Sequence, residues 1–131
     1  MDTHAKLRRD VQALLDVLDA GVEGDCVPGS PKGEFRRLSR RIQAAIAGGL
    51  GLAPGTYDLR FNRAGPAISG EATLHAEALY VQFSSSPLGI LYRHCKGRKD
   101  YAGDHNHWMP YRDLLDFDDA LRCFAQAQQG A

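Results

Sequence analysis

Residues 94–110, HCKGRKDYAGDHNHWMP, combine several kinds of side chain that carry out chemistry in proteins. The segment brings imidazoles, a thiol and basic groups together with glycines and the only tryptophan of the chain. Imidazole and thiolate bind zinc, a thiolate beside a base is a nucleophile, and basic groups bind phosphate. The segment is therefore a candidate metal site, a candidate catalytic loop and a candidate contact surface.

The spacing of the possible ligands argues against zinc. The candidates are His94, Cys95, His105 and His107. Structural zinc sites usually take ligand pairs separated by a few residues, so that one turn directs two side chains at the ion. His94 and Cys95 are adjacent instead, and adjacent side chains of a strand point to opposite faces. No second cysteine lies nearby, and we predict no bound metal.

The segment also lacks a complete catalytic or nucleotide-binding motif. The letters H-N-H at 105–107 do not make a nuclease site, because no Asn or His follows to complete the set. Basic neighbours can stabilise a thiolate at Cys95, but a lone cysteine at a strand end is typical of a small core residue. No G-x-x-x-x-G-K-[ST] is present, which excludes a nucleotide P-loop. We predict no catalytic residue and no cofactor, although a site assembled from distant residues leaves no local motif.

This part of the sequence favours a contact surface for a macromolecule. Tyr, Trp and Arg dominate binding hot spots because they bury large areas with few rotatable bonds and donate fixed hydrogen bonds. We predict that the basic and aromatic loop 93–112 docks on a partner. Its predicted contact residues are Arg98, Lys99, Tyr101, His105, His107, Trp108 and Tyr111. The alternative is that Trp108 and Met109 fold back as a lid on the core.

A second basic patch is predicted on a helix upstream. A spacing of four places Arg36 beside Arg40 and Arg37 beside Arg41, which gives a double row of guanidiniums. Such a row can hold phosphates or an acidic partner, and the alternative is a solvated helix face. We choose Arg37 and Arg41 as the second partner-binding patch. The string RRLS at 36–39 resembles a basophilic kinase site, which we interpret as incidental within a helix.

Helical periodicity of the apolar residues predicts three helices around this chemistry. The first covers about residues 2–20. The second follows Ser30 and Pro31, which are suited to a helix cap and a first helical position, and covers about 32–47. Asp116 can cap the third helix near the end of the chain.

Four runs between the second and third helices alternate apolar and polar residues, which predicts strands. The runs are YDLRFNR, AISGEATLH, ALYVQFS and GILYRHC. Their short connections favour an antiparallel meander. We predict a single α+β domain over 1–131, with two N-terminal helices, a four-stranded antiparallel meander and a C-terminal helix, the helices packed on one sheet face. The other face then presents Arg60, Glu71, Thr73, His75, Tyr80 and Gln82.

The totals exclude several classes of protein. Sixteen basic residues balance sixteen acidic ones in a chain of 131, which does not support a whole-surface attraction to nucleic acid or to an anionic membrane. Three scattered cysteines do not form a disulfide framework and favour a reducing compartment. No stretch approaches the ~20 apolar residues that span a bilayer, and the first residues lack a signal-peptide pattern. We expect a soluble, cytoplasmic protein.

The function predicted from these residues is that of a small non-enzymatic interaction protein. It would be an adaptor or inhibitor that docks on a larger protein or protein complex through loop 93–112. One alternative is a nucleic-acid-binding module that stacks bases on exposed tyrosines and holds phosphates with arginines. Another is an enzyme acting on a small anionic substrate, with His75 or a histidine of the loop as base. A homodimer would instead cover the polar sheet face.

Overall fold

A computed structural model describes residues 4–22, 24–62, 70–100 and 105–130. Its elements, in chain order, are helices α1 (Ala5–Ala20) and α2 (Pro31–Gly49), strands β1 (Tyr57–Asn62), β2 (Glu71–Ala76), β3 (Leu79–Phe83), β4 (Ile90–His94) and β5 (His107–Met109), a short 3-10 helix (Tyr111–Leu115) and helix α3 (Phe117–Gln128). The prediction of an α+β fold with an antiparallel meander and helices on one sheet face is confirmed.

Side-chain caps determine where α2 and α3 begin. The Ser30 hydroxyl accepts a hydrogen bond from the Gly33 N–H, and Pro31 takes the first helical position, where a missing N–H costs nothing. The Asp116 carboxylate accepts a hydrogen bond from the Asp119 N–H at the start of α3. Both predicted helix starts are confirmed.

The sheet has five strands in the order β1-β2-β3-β4-β5, and each neighbouring pair is antiparallel. The predicted count of four is wrong by one, because β5 lies within the stretch assigned to a loop. Three residues are too few for alternation to be visible in the sequence, and Pro110 ends the strand. In β5 Met109 is buried and Trp108 is exposed, so the two residues do not form a common lid on the core.

The hydrophobic core lies between one face of the sheet and the helices. Helix α2 packs on β1 and β2, α3 packs on β3 and β4, and α1 packs on α2 and the 3-10 helix. One register row of the sheet residues that point into this core consists of Leu59, Leu74, Val81, Tyr92 and His107. This row ends with an aromatic residue on β4 and a polar one on β5, where Met109 supplies the buried apolar side chain.

A glycine lets β5 approach the start of β4. Gly89 has a φ of 95°, a conformation that residues with a Cβ rarely adopt. A Cβ at this position would lie 2.3 Å from the carbonyl oxygen of Met109. Only glycine therefore allows the pairing that places Trp108 at the sheet edge.

Tyr111 fixes the 3-10 helix to the end of β3. Its ring packs edge-on against Phe83, with centroids 5.3 Å apart. Its hydroxyl accepts a hydrogen bond from the Ser84 N–H at 2.7 Å and donates one to the Ser84 carbonyl at 2.6 Å. Burial raises the pKa of this hydroxyl, partly offset by the bond to Ser84. Tyr111 therefore has a structural role, since its hydroxyl forms both of its hydrogen bonds within the protein.

Replacing Tyr111 with Phe removes the partner of both backbone groups of Ser84. We expect Tyr111→Phe to lower the free energy of unfolding by about 1–3 kcal/mol, because buried polar groups lose their hydrogen bonds. The control is Tyr57→Phe, since the Tyr57 hydroxyl forms no hydrogen bond within the described residues, and we expect a change below about 0.5 kcal/mol. Urea denaturation measures both values, and equal values would contradict the role of the Ser84 contact.

Candidate functional site

The face of the sheet opposite the core carries two rows of mostly polar side chains. One row consists of Asp58, His75, Tyr80 and Arg93, and the next consists of Arg60, Thr73, Gln82, Leu91 and Trp108. We call these two rows the open sheet face. Alternation along each strand places them there, because their neighbours in sequence point into the core. The second row crosses four strand spacings, roughly 19 Å at about 4.8 Å each.

A network of close contacts joins the residues of the first row. The Arg93 guanidinium lies over the Tyr80 ring, 4.4 Å from its centroid. Tyr80 meets the His75 ring edge-on, with centroids 5.1 Å apart, and its hydroxyl donates to the Gln82 side chain at 3.0 Å. Arg93 also donates to the Asn106 side chain at 3.2 Å. A charged group that is only 9% exposed is thus held in a defined position.

The segment after β4 covers one end of this row. The Gly97 carbonyl accepts a hydrogen bond from Nε2 of His75 at 3.1 Å, and His75 is only 3% exposed. Burial lowers the pKa of His75, and the charges of Arg60 and Arg93 lower it further. The imidazole is therefore held in its neutral form, with Nε2 carrying the proton.

Trp108 dominates the other end of the open sheet face. Its side chain is 42% exposed although its strand is paired with β4. The residue opposite it is Leu91, which is almost completely buried, so Leu91 supports the tryptophan but offers little surface of its own. Because a strand carries Trp108, the position of its backbone is fixed before any partner binds.

The predicted contact residues of the loop do not all lie together. Trp108 lies on the open sheet face, and His105 and Lys99 are exposed. His107 points to the opposite side, where its ring stacks on Tyr92 with centroids 5.2 Å apart. Tyr101 lies outside the described residues.

Two more of the predicted contact residues are engaged within the chain. Arg98 forms ion pairs with Glu77 at 3.1 Å and Asp58 at 3.6 Å, and it donates to the Gly55 carbonyl. Tyr111 is buried by its contacts with Ser84 and Phe83. These two residues therefore shape the fold near the site, and the aromatic contact surface is reduced to Trp108 among the described residues.

The second predicted patch, Arg37 and Arg41, is exposed but paired. Arg37 donates to the Glu34 carboxylate at 2.9 Å, and this contact lowers the pKa of Glu34. Arg41 lies 3.0 Å from the Asp10 carboxylate of α1. Between these arginines Ser39 is fully buried, so the RRLS string presents no accessible hydroxyl in this fold.

The predicted contact residues do not include Arg93 and Leu91, which flank Tyr92 in β4 and lie on the open sheet face. The signal that identifies them is alternation: Tyr92 belongs to the core, so its two neighbours point outward. The polar face predicted from β1, β2 and β3 lies where the alternation placed it.

The described part of the chain contains no cluster of three or more His, Cys, Asp or Glu side chains arranged to hold a metal ion. His94 instead contacts the Gln128 carbonyl at 3.1 Å, and the Cys95 thiol donates to the Ala76 carbonyl at 3.3 Å. Burial raises the pKa of Cys95 and keeps it a thiol. Among the described helices, none combines the length and apolar character needed to cross a bilayer.

Comparison with protein-family models, with curated proteins and with solved structures finds no match for this chain. Its function must therefore be inferred from the site itself.

The lowered pKa of His75 leads to a prediction about stability and pH. The unfolded chain binds a proton at this residue near pH 6.5, whereas the folded chain does so only at lower pH. The stabilisation is therefore complete above pH 6.5 and is lost as the pH falls below it. We expect the stability advantage of the wild type over His75→Gln to shrink from pH 7 to pH 5, by at most about 1.4 kcal/mol per pH unit.

Urea denaturation at pH 5, 6 and 7 measures this difference. Gln retains an amide donor for the Gly97 carbonyl but does not titrate. His105→Gln is the matched control for the substitution itself, because His105 is an exposed histidine. Parallel profiles for the wild type and His75→Gln would show that His75 does not titrate differently in the folded state.

Proposed function

We propose that this chain is a small binding module that docks on a larger protein through its open sheet face. The observation that carries the proposal is the exposure of Trp108 on a paired strand beside Leu91. Exposed aromatic anchors next to fixed arginines are the usual centres of protein interfaces. The mechanism is steric and electrostatic, and it requires no chemical step.

Burial of Trp108 provides the driving force for docking. A tryptophan offers about 200–250 Å² of surface, so the exposed part is on the order of 100 Å². At about 25 cal/mol per Å², its removal from water is worth roughly 2.5 kcal/mol. This value lies in the range of a hot-spot residue, and its loss corresponds to an affinity change of roughly 30- to 100-fold.

Arg93 and Arg60 supply the polar complement to this anchor. Arg93 is held between Tyr80 and Asn106, which reduces the entropy lost when a carboxylate of the partner binds beside it. Arg60 lies at the far end of the row that contains Trp108 and is exposed. An acidic surface with an apolar pocket at one end is the complement of this arrangement.

The nucleic-acid alternative has fewer supporting residues in the fold. It relied on exposed tyrosines as stacking platforms, but Tyr80 is covered by Arg93 and Tyr92 packs against Phe124. Trp108 is the one well-exposed ring on the open sheet face within the described residues. The balanced net charge also provides no general attraction to phosphate backbones. We therefore place nucleic acid among the outcomes of the test below.

The test compares Trp108→Ala with Leu88→Ala as baits. Leu88 is the matched control, because it is an apolar side chain that is 59% exposed in the turn between β3 and β4, away from the open sheet face. We expect the wild type and Leu88→Ala to capture the same protein, and Trp108→Ala to lose it. The captured protein, once purified, should bind Trp108→Ala at least about 30-fold more weakly.

Trp108 also reports directly on docking, because it is the only tryptophan of the chain. Its fluorescence should be accessible to quenchers in the free protein and protected in the complex. Material captured only through nuclease-sensitive contacts would favour nucleic acid, and concentration-dependent self-association lost in Trp108→Ala would indicate a homodimer. Equal capture by all three baits would overturn the proposal.

A further inference from the structure

Arg36 and Arg40 differ from the paired arginines on the same helix. They lie on the side of α2 that faces β1, whereas the partner of Arg41 belongs to α1. The Arg36 guanidinium lies 5.4 Å from the centroid of the Phe61 ring, which holds it over the start of the sheet. Arg40 forms no ion pair within the described residues.

These two side chains form one wall of a cleft of about 90 Å³ between α2 and β1. The β1 residues Leu59, Arg60 and Phe61 form the opposite side, and Gln43 of α2 forms part of the wall. No Asp or Glu lines this cleft in the part of the chain that the structure describes. Two guanidiniums, those of Arg36 and Arg40, therefore border a concave surface that no carboxylate of the described residues lines.

Contacts within the protein fix the remaining walls of the cleft. Gln43 is almost completely buried, and its side-chain amide donates to the Ala72 carbonyl of β2 at 2.9 Å. The Arg60 guanidinium itself lies on the open sheet face, 3.5 Å from the Asp58 carboxylate. The cleft is consequently electropositive and bordered by fixed groups.

We propose that this cleft binds a single phosphoryl group, either as inorganic phosphate or as a phosphate monoester. Guanidinium forks match the oxygens of phosphate and bind them through paired, charge-assisted hydrogen bonds. The volume allows several water-sized groups, at about 10–15 Å³ each, and is well below the roughly 300–1,000 Å³ of a site for a drug-sized ligand. A single tetrahedral anion fits this size.

A second, larger cleft lies on the other side of the same two arginines. It has a volume of about 340 Å³ and is bordered by Val27, Pro28 and Gly29 of the segment before α2 and by the ion pair of Glu34 and Arg37. Arg36 and Arg40 line both clefts, so a phosphoryl group between them can carry an organic substituent toward this segment. The arrangement distinguishes free phosphate, which needs only the first cleft, from an ester, which uses both.

The test is titration of the whole chain with inorganic phosphate and with phenyl phosphate at constant ionic strength, followed by calorimetry. Arg40→Gln and Arg41→Gln are matched variants, because both remove an exposed arginine from α2. Loss of a charge-assisted hydrogen bond costs about 1.5–3 kcal/mol, so Arg40→Gln should weaken binding by about 10- to 100-fold. Arg41→Gln should remain within about twofold of the wild type.

These outcomes distinguish a specific phosphate-binding site from a non-specific attraction of anions to the positively charged helix. Equal weakening in Arg40→Gln and Arg41→Gln, or no saturable binding of either probe, would overturn the proposal. Tighter binding of phenyl phosphate than of inorganic phosphate supports the site with a monoester as its ligand, and equal binding supports it with free phosphate. Unfolding curves confirm that each variant is folded, and Arg36→Gln provides a second measurement on the same cleft.

This site is distinct from the docking surface, although Arg60 borders the cleft and also belongs to the open sheet face. Trp108→Ala should bind phosphate as the wild type does, and Arg40→Gln should retain the protein partner. Failure of one proposal therefore leaves the other to be judged on its own measurements.

Discussion

The antiparallel register of the meander is the constraint on which both faces of the sheet depend, the face that packs in the core and the open sheet face. Each strand residue belongs either to the core or to the open sheet face, and pairing with the next strand decides which. A slip of one residue in β2 would remove Leu74 from the core and place His75 there instead. Apolar burial on one side thus fixes the positions of the polar groups on the other.

The first row of the open sheet face shows how this constraint holds polar and charged groups in fixed positions. Burying a guanidinium is costly unless its charge is compensated, and here the Tyr80 ring and the Asn106 side chain provide compensation to Arg93. The neutral state of His75 avoids a further positive charge in the same row. A rigid, partly desolvated cation beside an exposed tryptophan loses little conformational freedom on binding.

Much of the fold is predictable because its signals are local. The cap at Ser30, the cap at Asp116 and the alternation in the longer strands each depend on a few neighbouring residues. Strand β5 is not predictable in the same way, since three residues show no period. Without it, His107 and Trp108 look like members of one loop, although pairing with β4 directs them to opposite faces.

The arginine row shows a second limit of sequence reasoning. Helical spacing correctly groups Arg36 with Arg40 and Arg37 with Arg41. It does not say which of these arginines form ion pairs with carboxylates of the same chain. The carboxylate that pairs with Arg41 is Asp10, which is 31 positions away and reaches it only because α1 packs on α2. The choice of Arg37 and Arg41 as a binding patch could therefore be assessed only from tertiary contacts.

Arg60 connects the proposed phosphate cleft with the open sheet face, because it borders the cleft and also ends the row that contains Trp108. A phosphoryl group in the cleft would neutralise part of the positive charge at this end. Trp108 lies roughly 19 Å away across the sheet, at about 4.8 Å per strand. Charges at the surface are screened over about 8 Å at physiological salt, so this change is strongly attenuated before it reaches the tryptophan. Occupation of the cleft would therefore affect docking mainly where a partner extends as far as β1, and a partner confined to β4 and β5 would bind independently of it.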